Sequence, residues 1–159
     1  MRRAALAGAL VAGLLGLAPV PPAAAAAEPG ALPSDPQAVV TYVKDALRDR
    51  DEAAIERLVN WEGVRLPRKR LTLFQIRTTF GRPIREMAIE DFPADGLAEV
   101  EARGTLKPNM AVTKRLRIVF DDPADPTDAS PSSNVFLLGQ KDGAYRIAVL
   151  NAVKPPQGK

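Results

Sequence analysis

The sequence predicts an α+β domain in which N-terminal helices pack on a curved antiparallel sheet. Between residues 36 and 80, apolar residues recur every three or four positions, which is the period of a helix buried on one face. From Ile84 onward, apolar and polar residues alternate, which is typical of strands with one buried face. Helices first and consecutive strands afterwards favour an α+β architecture.

The first 27 residues have the composition of a secretory signal peptide. Arg2 and Arg3 form a positive head, residues 4–20 are mostly apolar, and the alanines at 25–27 supply a small-residue cleavage site. We therefore expect cleavage near residue 27 and a mature chain that works outside the cytoplasm, in the periplasm or secreted. The expected organisation is a signal peptide at 1–27, a flexible lead at 28–33, one domain at 34–153 and a disordered tail at 154–159.

The charge balance limits the classes of partner. The chain of 159 residues has 22 basic and 19 acidic side chains, and the leader contains two of the basic ones and none of the acidic ones. The mature chain therefore has a surplus of one positive charge, whereas a dedicated nucleic-acid binder usually has a strong basic excess. No nucleic-acid partner is expected. No other apolar run approaches the ~20 residues that span a bilayer, so no transmembrane segment is expected in the mature chain.

Three helices are expected in the first half of the chain. Ser34 and Gln37 have the spacing of a capping box at the start of the first helix. Asp51 can cap the second helix, and Gly63 can end it. The spacing of polar and apolar residues predicts a third, short helix from Thr72.

Five strands are expected in the second half. They share the alternation of apolar and polar residues and cover 84–92, 98–105, 112–120, 135–140 and 145–150. The turn residues at 93–96 are expected to join the first two strands in a hairpin, and Asp142 with Gly143 to join the last two. The acidic stretch at 121–134 is rich in Pro and Ser, and we expect a mobile loop there.

Two segments of the chain resemble the nuclear transport factor 2-like, or SnoaL-like, superfamily. One is the stretch from Val39 to Val59, especially Ala46-Leu47-Arg48-Asp49-Arg50-Asp51. The other is the closing hairpin Gly139-Gln140-Lys141-Asp142-Gly143-Ala144-Tyr145-Arg146-Ile147. The resemblance covers residues 34–153 and implies a cone whose open end holds a pocket. The superfamily contains enzymes, binding modules and adaptors, and its catalytic members commonly use a His with an Asp. This chain has no His, so no catalytic residue is transferred.

The absence of His and Cys removes most common catalytic and metal chemistry. The commonest general base, thiol nucleophiles, disulfides and thiolate metal sites are all excluded. No G-x-S-x-G nucleophile motif or glycine-rich phosphate loop occurs. The nearest approach to a metal motif lacks the spacing of a calcium loop and consists of Asp121, Asp122, Asp125 and Asp128. We therefore expect no metal and no cofactor, and we favour a non-enzymatic domain.

A basic stretch stands out because no acidic residue interrupts it. Its members are Arg65, Arg68, Lys69, Arg70, Arg77, Arg82 and Arg85, and acidic residues without basic ones follow at 86–101. One interpretation is that the two blocks are solvated faces that offset each other across the fold. The other is an anion-binding surface, dominated by residues 68–70, for an envelope polymer or an acidic partner.

The aromatic residues also allow two interpretations. Their helical or alternating positions favour core packing, which is the expectation for Trp61, Phe74, Phe80, Phe92, Phe120 and Tyr145. Aromatic residues also line ligand sites. The candidates for such a pocket are Tyr42, Trp61, Phe92 and Tyr145.

These observations favour an exported, non-enzymatic domain that binds a small ligand or a protein partner. One alternative is a carboxylate-dependent lyase or isomerase, which requires a buried Asp or Glu whose pKa is raised by burial. Another is a binder of anionic envelope polymer that uses the basic stretch at 65–85. A homodimer is an arrangement that the sequence leaves open.

Overall fold

A computed structural model of the chain describes residues 31–125 and 128–153. The predicted signal peptide at 1–27, the predicted tail at 154–159 and the first half of the predicted lead, residues 28–30, lie outside the described residues. The helices are α1 (Pro36–Asp49), α2 (Glu52–Leu58), α3 (Leu66–Arg77) and α4 (Ala98–Ala102). The strands are β1 (Ile84–Asp91), β2 (Leu106–Pro108), β3 (Lys114–Asp125), β4 (Asp128–Lys141), β5 (Ala144–Ile147) and β6 (Leu150–Ala152). The domain is α+β, as the sequence predicts.

Four strands form one antiparallel sheet in the order β1-β3-β4-β5, and β2 pairs with β6 in a separate ribbon. The predicted turn between β4 and β5 is confirmed. Asp142 and Gly143 have φ angles of 52° and 76°, which is the left-handed backbone that a tight hairpin turn requires.

The core lies between the inner face of the sheet and the first three helices. The sheet contributes Leu116, Ile118 and Phe120 from β3, and all three are fully buried. The helices contribute the buried residues Val39, Val43, Ala46, Ile55, Leu58 and Ile76. These helical positions are the apolar stripe that the periodicity predicts.

The start of α1 differs from the predicted capping box by one residue. Asp35 is the N-cap, and its carboxylate accepts a hydrogen bond from the Ala38 N–H at 2.9 Å. Pro36 occupies the first helical position, where its fixed φ is suited to a helix start, so Ser34 lies outside the helix. Asp51 caps α2 as predicted, by accepting from the Ala54 N–H.

The second and third helices have different limits from those expected. α2 ends at Leu58, before Gly63, because Val59 is extended and forms a parallel bridge with Ile147. α3 begins at Leu66 rather than at Thr72. Its first turn is basic and carries a proline, so the apolar period that would predict a helix is missing there.

The predicted strand at 98–105 is wrong. Residues 98–102 form α4, and the predicted hairpin at 93–96 does not form, because β1 pairs with β3 instead. The segment consists largely of Ala and Glu, which favour helix over strand. The short alternation of apolar and polar residues in this segment therefore predicts a strand where a helix forms.

The predicted mobile loop at 121–134 is also wrong where the structure describes it. β3 extends to Asp125 and β4 begins at Asp128, so most of this stretch lengthens the hairpin, with irregular register between Val119 and Asp125. The last predicted strand, 145–150, divides into β5 and β6. Ala148 donates from its N–H to the Leu137 oxygen, and the chain then leaves β4 to pair with β2.

Candidate functional site

The interior of the domain is filled by side chains. The void enclosed by the core has a volume of about 10 Å³, which is room for one water molecule at most. It is lined by Val43, Ile55, Ile76, Thr79, Leu116, Ile118, Phe136 and Ile147. In the described part of the chain, the buried polar residues are Asn60, Thr72, Thr79 and Ser132, with no Asp or Glu among them. Among the residues that the structure describes, the interior therefore contains a void of water size at most and no buried carboxylate.

The four aromatic pocket candidates do not line this void. The Tyr42 hydroxyl donates to the Ala54 oxygen at 2.9 Å, and Trp61 Nε1 donates to the Glu56 oxygen at 3.0 Å. Both polar tips thus bind backbone of α2. Tyr145 is buried with 5% of its surface exposed. Three of the candidates are engaged in the packing of the domain.

The fourth candidate, Phe92, lies at an open groove of about 550 Å³ between residues 92–97 and 107–112. Its apolar lining includes Leu97, Met110 and Val112, and the charged residue in the lining is Lys107. The structure therefore does not bring Phe92 together with the other three candidates, and the expected core position of Phe92 is wrong because its ring lines this groove outside the core cluster.

Four of the seven basic candidates form ion pairs with acidic residues. The pairs are Lys69 with Glu56 at 3.2 Å, Arg77 with Glu52 at 2.7 Å, Arg82 with Asp122 at 2.8 Å and Arg85 with Asp121 at 2.9 Å. The positive charges of these four residues are therefore offset by acidic side chains from other parts of the fold. Asp121 and Asp122 are thereby also used in ion pairs. In the described part of the chain, no group of three acidic residues is placed to hold a metal ion.

Arg82 fastens the turn before β1 to the sheet. Its Nε and Nη2 donate to the two carboxylate oxygens of Asp122 at 2.9 and 2.8 Å, and its guanidinium lies 3.7 Å from the centre of the Phe120 ring. The hydrogen bond from Arg82 lowers the pKa of Asp122. The Arg82 side chain is only 26% exposed, so Arg82 has a structural role.

The other three basic candidates, Arg65, Arg68 and Arg70, lie at the start of α3. None of them has an acidic partner within 4 Å in the described part of the chain. α3 has no acidic residue in its first turn, and its N-cap Arg65 makes no side-chain capping bond. Cations at this end oppose the helix dipole, which favours negative charge there. The arrangement is locally unfavourable and would be relieved by a bound anion.

The same helix exposes large apolar side chains. Leu66 is 61% exposed, Leu71 is 53% exposed and Phe74 is 64% exposed. The expected core position of Phe74 is wrong, because Ile76 occupies the buried side of α3 and residues two apart point about 200° away from each other. We call Arg65, Leu66, Arg68, Arg70, Leu71 and Phe74 together the α3 surface.

Sequence reasoning found the cations of the α3 surface and missed its apolar residues. A signal was present: the apolar residues of this segment lie all around the helix rather than on one face, so one face cannot bury them all. The sequence predicts a helix start at Thr72, and the observed start at Leu66 adds Leu66 and Leu71 to the helix.

α3 is held firmly against the domain on its inner side. Thr72 and Ile76 are buried, and Gln75 Nε2 donates to the Val135 oxygen at 3.4 Å. Lys69 joins the helix to Glu56 and lies 4.8 Å above the centre of the Trp61 ring. The α3 surface is therefore presented in a fixed geometry.

A second charged surface covers the outer face of β1 and β3, and its charges are paired. Glu90 accepts from Arg117 Nε at 2.6 Å and from Arg115 Nε at 2.7 Å, and Arg117 also binds Glu86 at 3.0 Å. The hydrogen bond from Arg117, followed by that from Arg115, lowers the pKa of Glu90. This face is a network of ion pairs rather than an unpaired anion site.

This network predicts a pH dependence of stability. Because the folded-state pKa of Glu90 lies below the ordinary value of 4.5, its stabilising effect is complete above that value and is lost as the pH falls through the lower folded pKa. Glu90→Gln is expected to lower the free energy of unfolding by about 1 kcal/mol at pH 7. As the pH falls, the variant is expected to lose less stability than the wild type loses. Urea unfolding from pH 7 down to pH 3 measures both effects.

Glu99→Gln is the matched control, because its side chain is 91% exposed and reaches Arg103 only at 3.8 Å. We expect the control to follow the wild-type pH profile. Parallel acid profiles for Glu90→Gln and wild type would contradict the prediction.

None of the helices that the structure describes is long and apolar enough to cross a membrane. Comparison with protein-family models, curated proteins and solved structures finds no match to this chain.

Proposed function

We propose that the mature chain is an exported, non-enzymatic domain that binds an anionic component of the cell envelope through the α3 surface. The observation that carries this proposal is the set of Arg65, Arg68 and Arg70, which lack acidic partners in the described residues while the other basic candidates are paired. Selective pairing leaves the positive charge concentrated at one end of one helix.

A surface is favoured over an internal pocket by the packing of the core. A void of about 10 Å³ is far below the volume of small-molecule sites, which is ~300 Å³ or more. The lyase or isomerase alternative requires a buried Asp or Glu, and the described core provides no candidate. A protein partner remains compatible with the α3 surface if its contacting face is acidic.

Export and the finer fold assignment belong to the same proposal. The positive head, apolar run and alanine-rich cleavage site of residues 1–27 support export. We also propose a relationship to the nuclear transport factor 2-like superfamily from the segments at 46–51 and 139–147, and the α+β architecture is compatible with it. Such folds serve many functions, so the binding proposal rests on the α3 surface and not on the fold.

The proposal is tested by retention of the protein on a sulfated-dextran resin. The triple variant Arg65→Glu, Arg68→Glu and Arg70→Glu is expected to elute without retention at low salt, because three attractive charges become repulsive. The wild type is expected to be retained at low salt and released as salt screens the interaction. The measurement is the salt concentration at elution.

The control carries the same change in net charge at exposed positions away from α3, namely Lys44→Glu, Arg103→Glu and Lys107→Glu. It is expected to stay on the resin. Equal loss of retention in both triple variants would show that net charge, and not the α3 surface, governs binding, and would refute the proposal.

A further inference from the structure

The apolar part of the α3 surface indicates what kind of anionic partner it fits. Leu66, Leu71 and Phe74 are each more than half exposed and lie on the solvent side of one helix. Hydrated anionic polymers would leave these side chains in water. An occupant with both negative charge and an apolar interior would bury them.

The exposed side of this helix carries apolar and basic side chains together, and a bilayer surface offers both an apolar interior and anionic headgroups. Helices that lie in the interface present apolar side chains to the acyl boundary and Lys or Arg to the headgroups. Arg65 and Arg70 are exposed, and the half-buried Arg68 is on the flank beside Leu71. Arginine stems can extend along apolar surface while their guanidinium groups reach phosphate oxygens.

The helix needs no ordering before it binds. Its inner side is fixed by the buried Thr72 and Ile76 and by the Lys69–Glu56 ion pair, so the outer side chains already lie on one folded surface. Preorganisation of this kind reduces the entropy lost on binding. Many interfacial peptides, in contrast, fold only at the membrane.

We propose that the α3 surface docks the domain on the surface of an anionic phospholipid bilayer, with Leu66, Leu71 and Phe74 at the acyl boundary and the three arginines on lipid phosphates. This inference rests on the proposed function and names its partner. The helix lies along the bilayer surface and does not cross it. An anionic polymer and a second copy of the chain are the competing occupants.

The test is co-sedimentation of residues 28–159, which retain every described helix and strand, with lipid vesicles. One set contains phosphatidylglycerol mixed with phosphatidylcholine, and the other contains phosphatidylcholine alone. The wild type is expected to bind the anionic vesicles and not the neutral ones. Arg65→Gln, Arg68→Gln and Arg70→Gln together are expected to lower the affinity ~100-fold, at ~5-fold for each cation near the surface.

A second variant tests the apolar contact separately. Leu66→Ser, Leu71→Ser and Phe74→Ser together are expected to lower vesicle affinity more than ~10-fold while retention on sulfated dextran is unchanged. The single variant Phe74→Ala is expected to weaken vesicle binding in the same direction. Lys44→Gln, Arg103→Gln and Lys107→Gln form the neutralised control and are expected to bind vesicles as the wild type does.

The outcomes separate this inference from the proposed function. Retention on sulfated dextran without vesicle binding would overturn the bilayer proposal and leave the proposed function standing. If the wild type neither stays on sulfated dextran nor binds anionic vesicles, both the proposed function and the bilayer proposal are overturned. Vesicle binding that the serine variant retains in full would show that the apolar side chains stay in water, which also overturns the proposal. A dimer that the serine variant abolishes, without vesicle binding, would assign the surface to a second copy.

Discussion

Gly139→Ala is expected to destabilise the domain by about 3 kcal/mol or more. Gly139 is buried in β4, and a methyl group added there would overlap the carbonyl oxygen of Ala111 and lie 2.9 Å from Met110 Cε. The backbone of residues 110–113 passes close to β4 at this point and is fixed by the Thr113 N–H, which donates to the Leu138 oxygen at 3.0 Å. Because the obstruction is backbone, it cannot be relieved by a change of rotamer.

Urea unfolding of the wild type and Gly139→Ala measures this effect. Gly143→Ala is the control, because Gly143 has φ of +76° but nothing lies within 4 Å of an added Cβ. Its expected cost is about 1 kcal/mol, because alanine is disfavoured in the left-handed backbone conformation. If Gly139→Ala were no more destabilising than the control, the close approach of the 110–113 segment would be refuted.

Gly139 also illustrates what local sequence patterns could not predict. The alternation in β3 and β4 correctly placed two adjacent strands, because that signal depends on neighbouring residues of the same segment. The requirement for glycine arises from Ala111, which the chain brings close only after folding. Contacts formed only on folding also explain why the predicted loop at 121–134 is wrong. Arg82 and Arg85 pair with Asp122 and Asp121 and hold the start of this polar segment in the sheet.

The candidate site was predictable to a similar extent. The composition of 65–85 identified the cations, but whether a cation is paired depends on distant residues such as Asp122, the partner of Arg82. The exposure of Phe74 depends on the rotation of α3 about its axis, which the buried Ile76 fixes. Sequence thus indicated the charge of the surface, and the fold determined which charges remain available and which apolar residues accompany them.

Phe120→Ala is expected to lower stability and leave vesicle binding unchanged, and Phe74→Ala is expected to weaken vesicle binding and leave stability unchanged, although the same atoms are removed. Phe120 is fully buried and supports the guanidinium of Arg82 at 3.7 Å, so its truncation is expected to cost about 4 kcal/mol. Phe74 is 64% exposed, so its truncation is expected to change the free energy of unfolding by less than about 0.5 kcal/mol. Urea unfolding measures both values.

The binding readout completes the comparison. At a temperature where both variants are folded, Phe120→Ala is expected to bind anionic vesicles as the wild type does, because α3 and its exposed residues are intact. Phe74→Ala is expected to bind them more weakly. A large stability loss in Phe74→Ala would show that this ring is packed in the domain, and its place on the binding surface would then be wrong. A separation of the two effects would instead mean that this chain holds one phenylalanine for its core and another for a partner.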